Sequence, residues 1–297
     1  MNKYIAGVSY GLGGIEAVLL DGNFATVEKL ARPYIPKLGR ESIISKIEKT
    51  VTSLPNFHQA VAVGVALPAV FDSSGKKVVS SPIKELEGAD IYQMLSRKLN
   101  LPIFIQRREF CSILAERAFG AAKEFGDIAF VEIGRDVGAA FVVGGKVYRG
   151  KHNASGNIRE MVLDITREKR HSAGSFGALV SGEGIEALTG RSIYQILKEN
   201  PQSELVSKQI LKDLKESLLT GLVNIKMLFD PEIFILSGDI LENFSAFEPS
   251  FIELGVKVKK SPLGKIGPAV GAAIAGYNAI NNLKMRATSR TRHDSLS

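Results

Sequence analysis

The sequence predicts an α/β protein with a mixed sheet, built as two similar lobes. Three observations carry this expectation. Short apolar strands alternate with helical stretches along the chain. The stretch 204–229 keeps Ile210, Leu211, Leu214, Leu218, Leu222, Ile225 and Leu228 near the 3.6-residue pitch, so one stripe of a long helix faces a core. One pattern also occurs twice: strand, glycine turn, strand, glycine turn, strand. It appears in "GVSYGLGGIEAVLLDGNFATVEK" (7–29) and "FVEIGRDVGAAFVVGGKVYRG" (130–150).

Taken in order, strands are expected at 3–10, 15–20, 60–66, 102–106, 128–133, 138–143 and 232–237. Helices are expected at 40–53, 89–99, 108–123, 182–188, 204–229 and 267–281. The early turns are Gly11–Gly14 and Gly134–Gly138; the later hairpins close at Asp21–Gly22 and Gly144–Gly145. Asp-Gly and Gly-Gly pairs supply the positive φ that a tight hairpin needs. Two such openings suggest two lobes with a cleft between them, each early turn presenting backbone N–H groups suited to phosphate. Two unrelated tight hairpins would leave the same trace.

The composition is that of an ordinary globular chain: 297 residues, 45% hydrophobic and 23% charged, enough for two modest cores. No apolar run is long enough for a bilayer, so no membrane association is expected. The start lacks the order of a signal peptide. The single Cys111 excludes an internal disulfide framework and a multi-cysteine zinc site, so the cytoplasm is the expected compartment. The net charge of +7 sits partly in the tail 283–297, which lacks hydrophobic periodicity and reads as disordered from 284. Apart from "KVKK" (257–260) the rest is spread thinly, so direct nucleic-acid binding is not expected.

Residues 61–160, from "VAVGVALPAVFDSSG" through "IFIQRREFCSILAERAFGAA" to "KHNASGNIRE", resemble the ROK family of repressors, open reading frames and kinases. The likeness continues in "LVSGEGIEALTGRSIYQIL" (179–197), "NIKMLFDPEIFILSGDI" (224–240) and "GPAVGAAIAGY" (267–277), and it covers about 4–280. The resemblance implies the two-lobed, actin-like ATPase fold of sugar kinases, a duplicated ribonuclease H-like architecture. It implies an N-terminal lobe of 1–118 with 267–283, and a C-terminal lobe of 119–266. Active members bind a sugar between the lobes and ATP against the second. Family repressors carry a winged helix ahead of this fold; here the chain begins on the first strand, and no such domain is expected.

Scaffold positions agree with the family: Gly64, Pro68, Asp72, Glu116, Gly120, Gly150, Gly156, Ser181, Gly182, Pro231 and Gly238. The site positions depart from it. The resemblance implies an Asp and Gly-Gly-Thr-Lys in the first hairpin, where this chain has Ser9, then Gly11, Leu12, Gly13 and Gly14. It implies Asn-Asp-Ala-Asn at the mouth of the helix after the strand, the Asp being the general base; here stand Arg107, Arg108, Glu109 and Phe110. The second phosphate hairpin is Gly134, Arg135, Asp136, Val137 and Gly138. The sugar-contacting Glu-x-Gly-His becomes Asn157, Ile158, Arg159 and Glu160, and the Pro-Gly beside the sugar becomes Pro68 and Ala69. The cysteine-rich zinc loop is absent from "MVLDITREKRHSAGSFG".

Arginine stays protonated and cannot accept the proton of an attacking hydroxyl. Losing a general base costs on the order of 10²–10⁴ in rate. Loss of the acid at Ser9 and of the Thr at Arg135 adds to that. No catalytic residue is therefore assigned. Glu109, Asp136 and Glu160 are the acids that would rescue the chemistry, or would pair with the new arginines; Glu109 projects about 100° from Arg108 around a helix.

Arg107, Arg108, Arg135 and Arg159 all fall at positions that line the family's cleft. Two readings stand. Acids pair with them and fill a defunct pocket, or they hold an anion such as a sugar phosphate. The candidate ligand-binding set is Arg107, Arg108, Pro68, Asn157, Arg159 and Glu160. The candidate nucleotide set, if nucleotide binding is kept, is Gly11, Gly13, Gly134, Arg135, Gly138, Gly182 and Gly238. ATP and Mg²⁺ are implied only where kinase activity is kept; zinc is not expected.

His58, His152, His171 and His293 have no metal spacing, and Cys111 reads as a small buried hydrophobe. Ser181 and Asp239 read as helix N-caps. The expected function is an inactive family member binding a sugar, an anionic sugar derivative or a protein partner in a regulatory role. A divergent sugar kinase and a regulator acting through a partner are the alternatives. A homodimer is expected by analogy with the family.

Overall fold

The computed structural model describes residues 4–168, 173–198, 205–242 and 244–294, with side chains to 281. His171 lies outside the described residues. Contacts divide the chain into two compact units, Met1–Ala115 with Lys265–Ser297, and Glu116–Gly264.

Unit 1 runs through β1 (Tyr4–Gly11), β2 (Gly14–Leu20), β3 (Thr26–Arg32), α1 (Arg40–Thr52), β4 (Ala60–Leu67), β5 (Val70–Phe71), β6 (Val78–Ser80), α2 (Ile91–Ser96), β7 (Ile103–Arg107) and the first part of α3 (Arg108–Phe119). Its main sheet has the order β3-β2-β1-β4-β7, with β5 and β6 paired apart. Unit 2 contains β8 (Ile128–Ile133), β9 (Val137–Val143), β10 (Lys146–Tyr148), α4 (Ile165–Glu168), α5 (Phe176–Val180), α6 (Gly182–Thr189), α7 (Ile193–Lys198), α8 (Leu205–Phe229), β11 (Ile233–Ser237), α9 (Glu248–Phe251) and β12 (Lys257–Lys260). The chain then returns to unit 1 as α10 (Gly267–Asp294).

The second sheet has the order β10-β9-β8-β11-β12. In each sheet two antiparallel pairings are followed by two parallel ones. The sequence repeat is therefore the opening meander of two sheets of identical topology. β1 and β2 are buried on both faces, which only a sheet covered on two sides permits. Ala6, Val8 and Tyr10 join Ile43, Ile44, Ile47 and Val51 of α1 in one core. The opposite face carries Gly7, and Gly64 on β4. A Cβ on Gly7 would lie 2.0 Å from the Ala269 carbonyl oxygen, and one on Gly64 would lie 1.9 Å from that of Ala272. The backbone of α10 thus rests directly on the sheet.

Several expectations are corrected. Gly144 and Gly145 both take positive φ, as a two-residue hairpin requires. The Asp21–Gly22 turn is instead a five-residue loop, in which Phe24 holds the left-handed conformation. There the Asp21 carboxylate accepts from the N–H groups of Asn23 and Ala25, both at 2.9 Å, and so takes the place of a tight turn. On α8, Ile210, Leu214, Leu218, Leu222 and Ile225 of the stripe are buried and Leu211 is half-buried, but Leu228 is 75% exposed. Phe229, next on the helical pitch, stacks on Phe141 instead, with ring centroids 3.8 Å apart. "KVKK" is a strand, β12, on the sheet's edge, where lysines discourage further pairing. Helix α10 runs to Asp294, past the 281 expected from the apolar pattern. Residues 295–297 lie outside the described set.

Candidate functional site

Each unit carries one cluster of charged side chains at the positions read from the sequence. In unit 1 the register places Ser9 of β1 directly opposite Glu16 of β2. Directly paired residues share a face of the sheet. Arg108, the first residue of α3, meets that face. Its Nη1 donates to Ser9 Oγ at 2.6 Å and lies 3.8 Å from the Glu16 carboxylate. Gly11 completes the wall: a Cβ there would sit 3.4 Å from the guanidinium. Ser9 is fully buried and Glu16 nearly so.

The neighbouring arginine points elsewhere. Arg107 ends β7 opposite Leu67, the residue before the buried Pro68. Its Nη2 lies 3.4 Å from the Glu109 carboxylate, and its guanidinium covers the Phe110 ring at 4.7 Å. Both Arg107 and Glu109 are buried. Two cations at a helix N-terminus oppose the helix dipole, and here two carboxylates offset them. On the other face of β1, towards α1, the Tyr10 hydroxyl is fully buried and makes no hydrogen bond among the described residues. Burial first, then Tyr34 and Glu85, push its phenol up to about 12, so it is no proton acceptor near neutrality.

In unit 2 the second hairpin docks against the start of α6. The Gly182 N–H donates to the Gly134 carbonyl at 2.8 Å, and the Glu183 N–H to that of Arg135 at 3.1 Å. Ser181 is the N-cap, as expected: its hydroxyl accepts from Gly184 N–H at 3.0 Å, and its carbonyl from Ile185 N–H at 2.9 Å. The Ser181 N–H donates to the Gly177 carbonyl at 3.0 Å, so with those of Gly182, Glu183 and Gly184 all four amides that a helix normally leaves open at its N-terminus are used. Arg159 pairs closely with Asp136 and lies 3.9 Å from Glu183, while Arg135 lies 4.0 Å from Glu186. Tyr194 donates to Asp239 Oδ1 at 3.1 Å, and Asp239 in turn packs on Gly134. Burial, and then Asp239, push the Tyr194 phenol well up.

Among the proposed site residues, the structure gathers Gly134, Arg135, Gly182 and Gly238 in unit 2, and Gly11 with Arg108 in unit 1. Gly238 has φ +107°, and a Cβ there would lie 2.0 Å from the Ile133 carbonyl oxygen. Gly13 is an exposed turn residue, Gly138 lies within β9, and Asn157 and Glu160 are exposed. Glu160 forms none of the arginine pairs. Glu16, Glu183 and Glu186, none of which the sequence singled out, take that part. Asp239 is not a cap: Gly238 takes the cap position, and the Asp239 carboxylate is turned to Tyr194. Cys111 is fully buried. No group of three His, Cys, Asp or Glu side chains gathers for a metal among the described residues. No described helix is long and apolar enough to cross a membrane.

Asp136 yields a pH test. Burial raises its carboxyl above the ordinary Asp range, Arg159 opposes this, and Glu183 adds to it. The folded chain then holds this proton more tightly than the unfolded chain. Stability from this group is full below the ordinary Asp value and is lost as pH rises through the raised folded value. The difference in denaturation free energy between wild type and Asp136→Asn is expected to fall as pH rises above the ordinary Asp range. A flat difference would remove Asp136 from that role.

The model of the ROK family matches residues 5–253. An uncharacterized protein of Clostridium perfringens is 28% identical over 250 residues, covering 82% of this chain and 81% of that protein. The xylose repressor of Bacillus subtilis is 25% identical over 292 residues, covering 90% of this chain and 75% of the repressor. A ROK family glucokinase from Streptomyces griseus, solved with glucose and AMPPNP, superposes with a TM-score of 0.80 at 18% identity, covering 93% of this chain and 99% of that one.

Proposed function

We propose, for a chain that belongs to the ROK family, a regulatory sugar-binding role without phosphoryl transfer. The observation that carries this reading is the placement of Arg108, whose Nη1 donates to Ser9 Oγ at 2.6 Å and faces Glu16 at 3.8 Å. The family resemblance puts the general base at 108 and an acid at 9. Here a permanent cation stands at the first and a hydroxyl bonded to it at the second. Neither takes a proton from an attacking sugar oxygen at usable pH. The saturated amides of α6 support the same reading, since they offer a phosphate no open donor.

A neutral sugar fits better than a sugar phosphate. A phosphate at Arg107 or Arg108 has to displace Glu109 or Glu16, both buried against the guanidinium groups. The name of the Bacillus subtilis relative and the ligand of the Streptomyces griseus structure point to xylose and glucose as the first compounds to try. ATP and Mg²⁺ have no part in this role.

The test is an ADP-release assay with ATP and a panel of pentoses, hexoses and N-acetylated amino sugars, run beside calorimetry with the same sugars. No ADP above the sugar-free blank is expected, with heat from at least one neutral sugar. Turnover that disappears in Glu16→Gln or Glu109→Gln would overturn the reading in favour of a kinase using a replacement acid.

A further inference from the structure

Unit 2 is an insertion in unit 1: the chain passes into it at Glu116 and out of it at Gly264. Both ends meet on one carboxylate. Glu116 is 1% exposed. From the outgoing end, the Ser261 hydroxyl donates to its Oε1 at 2.5 Å, and the Leu263 N–H donates to the same carboxylate. From the loop after α3, the Ala121 N–H donates to Oε2 at 2.8 Å. The Ser261 hydroxyl also accepts from the Gly264 N–H at 3.1 Å, and the Ser261 N–H donates to the Leu236 carbonyl on β11 at 2.8 Å. Gly120 leaves room for the group: a Cβ there would lie 1.9 Å from Oε2.

No cation pairs with this carboxylate among the described residues. Burying a carboxylate on neutral donors alone is costly, and a hydrophobic side chain would fill the same space without that cost. What a hydrophobe would not do is bind three donors from two distant segments in one fixed geometry. One residue beyond Gly264 the chain is back in unit 1 and soon forms α10. That helix seats by bare backbone contact on Gly7 and Gly64, and its Gly271 closes on the Cys111 carbonyl of α3. Cys111 and Glu116 lie on the same helix.

We propose that the Glu116 carboxylate is the clasp that joins the two ends of unit 2 and delivers α10 to its seat on β1 and β4. The close glycine contacts tolerate no displacement of α10, so its start must be held where α3 passes. The clasp does this by fixing residues 261–264, which run straight into the short turn before α10.

The test is native-state hydrogen exchange read by mass spectrometry on the full chain. The variants are Ser261→Ala, Glu116→Gln and the double variant. In Ser261→Ala, amides of 267–276 are expected to exchange about tenfold faster, while β8 and β11 keep their protection. Adding Ser261→Ala to Glu116→Gln is expected to add less than Ser261→Ala does alone, because the neutral amide has already weakened the charge-assisted bond to Ser261. Faster exchange confined to 116–122 and 261–264 would overturn the proposal. So would equal acceleration in every element, or full additivity of the two substitutions. If Glu116→Gln does not fold, the pattern in Ser261→Ala decides alone.

Discussion

Arg108→Ala is expected to destabilise the protein by about 3–5 kcal/mol. The guanidinium it removes is the group that faces Glu16, itself 5% exposed, and that hydrogen-bonds the fully buried Ser9. Removing one member of a buried ion pair leaves the charge of the other in a poorly solvated place, and that penalty exceeds the net worth of the pair. Removing both together is cheaper. Arg108→Met combined with Glu16→Gln is expected to recover more than half of the loss, since the pair is then replaced by groups that need no counter-charge. Arg108→Lys is expected to fall between, because an ammonium lacks the fork that reaches Ser9 and Glu16 together. Denaturant unfolding of the four proteins checks this series. A single Arg108→Ala variant as stable as wild type would mean that the contact does not secure unit 1.

Gly64→Ala is expected to cost at least about 3 kcal/mol. The added methyl would lie 1.9 Å from the Ala272 carbonyl oxygen and 2.3 Å from its carbon. These are backbone atoms in the middle of a helix and cannot swing aside, so α10 must lift from β4 and lose its contacts along β1 as well. The natural control is Gly13→Ala, with nothing within 4 Å of the new Cβ and no positive φ. That change is expected to stay within about 0.5 kcal/mol of wild type. Thermal or denaturant melts of the two variants suffice. Equal stability would show that α10 tolerates displacement, and it would weaken the clasp assigned to Glu116 at the same time.

Much of the fold was legible in the sequence, for a local reason. Strand–turn–strand patterning depends on neighbours a few residues apart, and the two meanders, the buried stripe of α8 and the Ser181 cap are all short-range facts. One edge strand was harder to see. β12 carries exposed lysines, and it becomes a strand because β11 offers an open edge. The extension of α10 past 281 was missed because its residues lack an apolar period, although none of them breaks a helix.

The sequence by itself determined that an arginine stands where the family resemblance puts a base, since identity at a motif position needs no coordinates. It also determined that arginine cannot serve as that base. Only the tertiary structure decided which acid each arginine meets. Glu160 lies beside Arg159 in the chain, yet it turns away within a single tight turn, where successive side chains diverge by about 120°. Arg159 instead meets Asp136 from a hairpin and Glu183 from a helix. Arg108 meets Glu16 because strand register and helix docking bring distant residues to one face. Ion pairs form between groups close in space, and in a folded sheet that closeness is set by long-range pairing, which no local pattern of residues encodes.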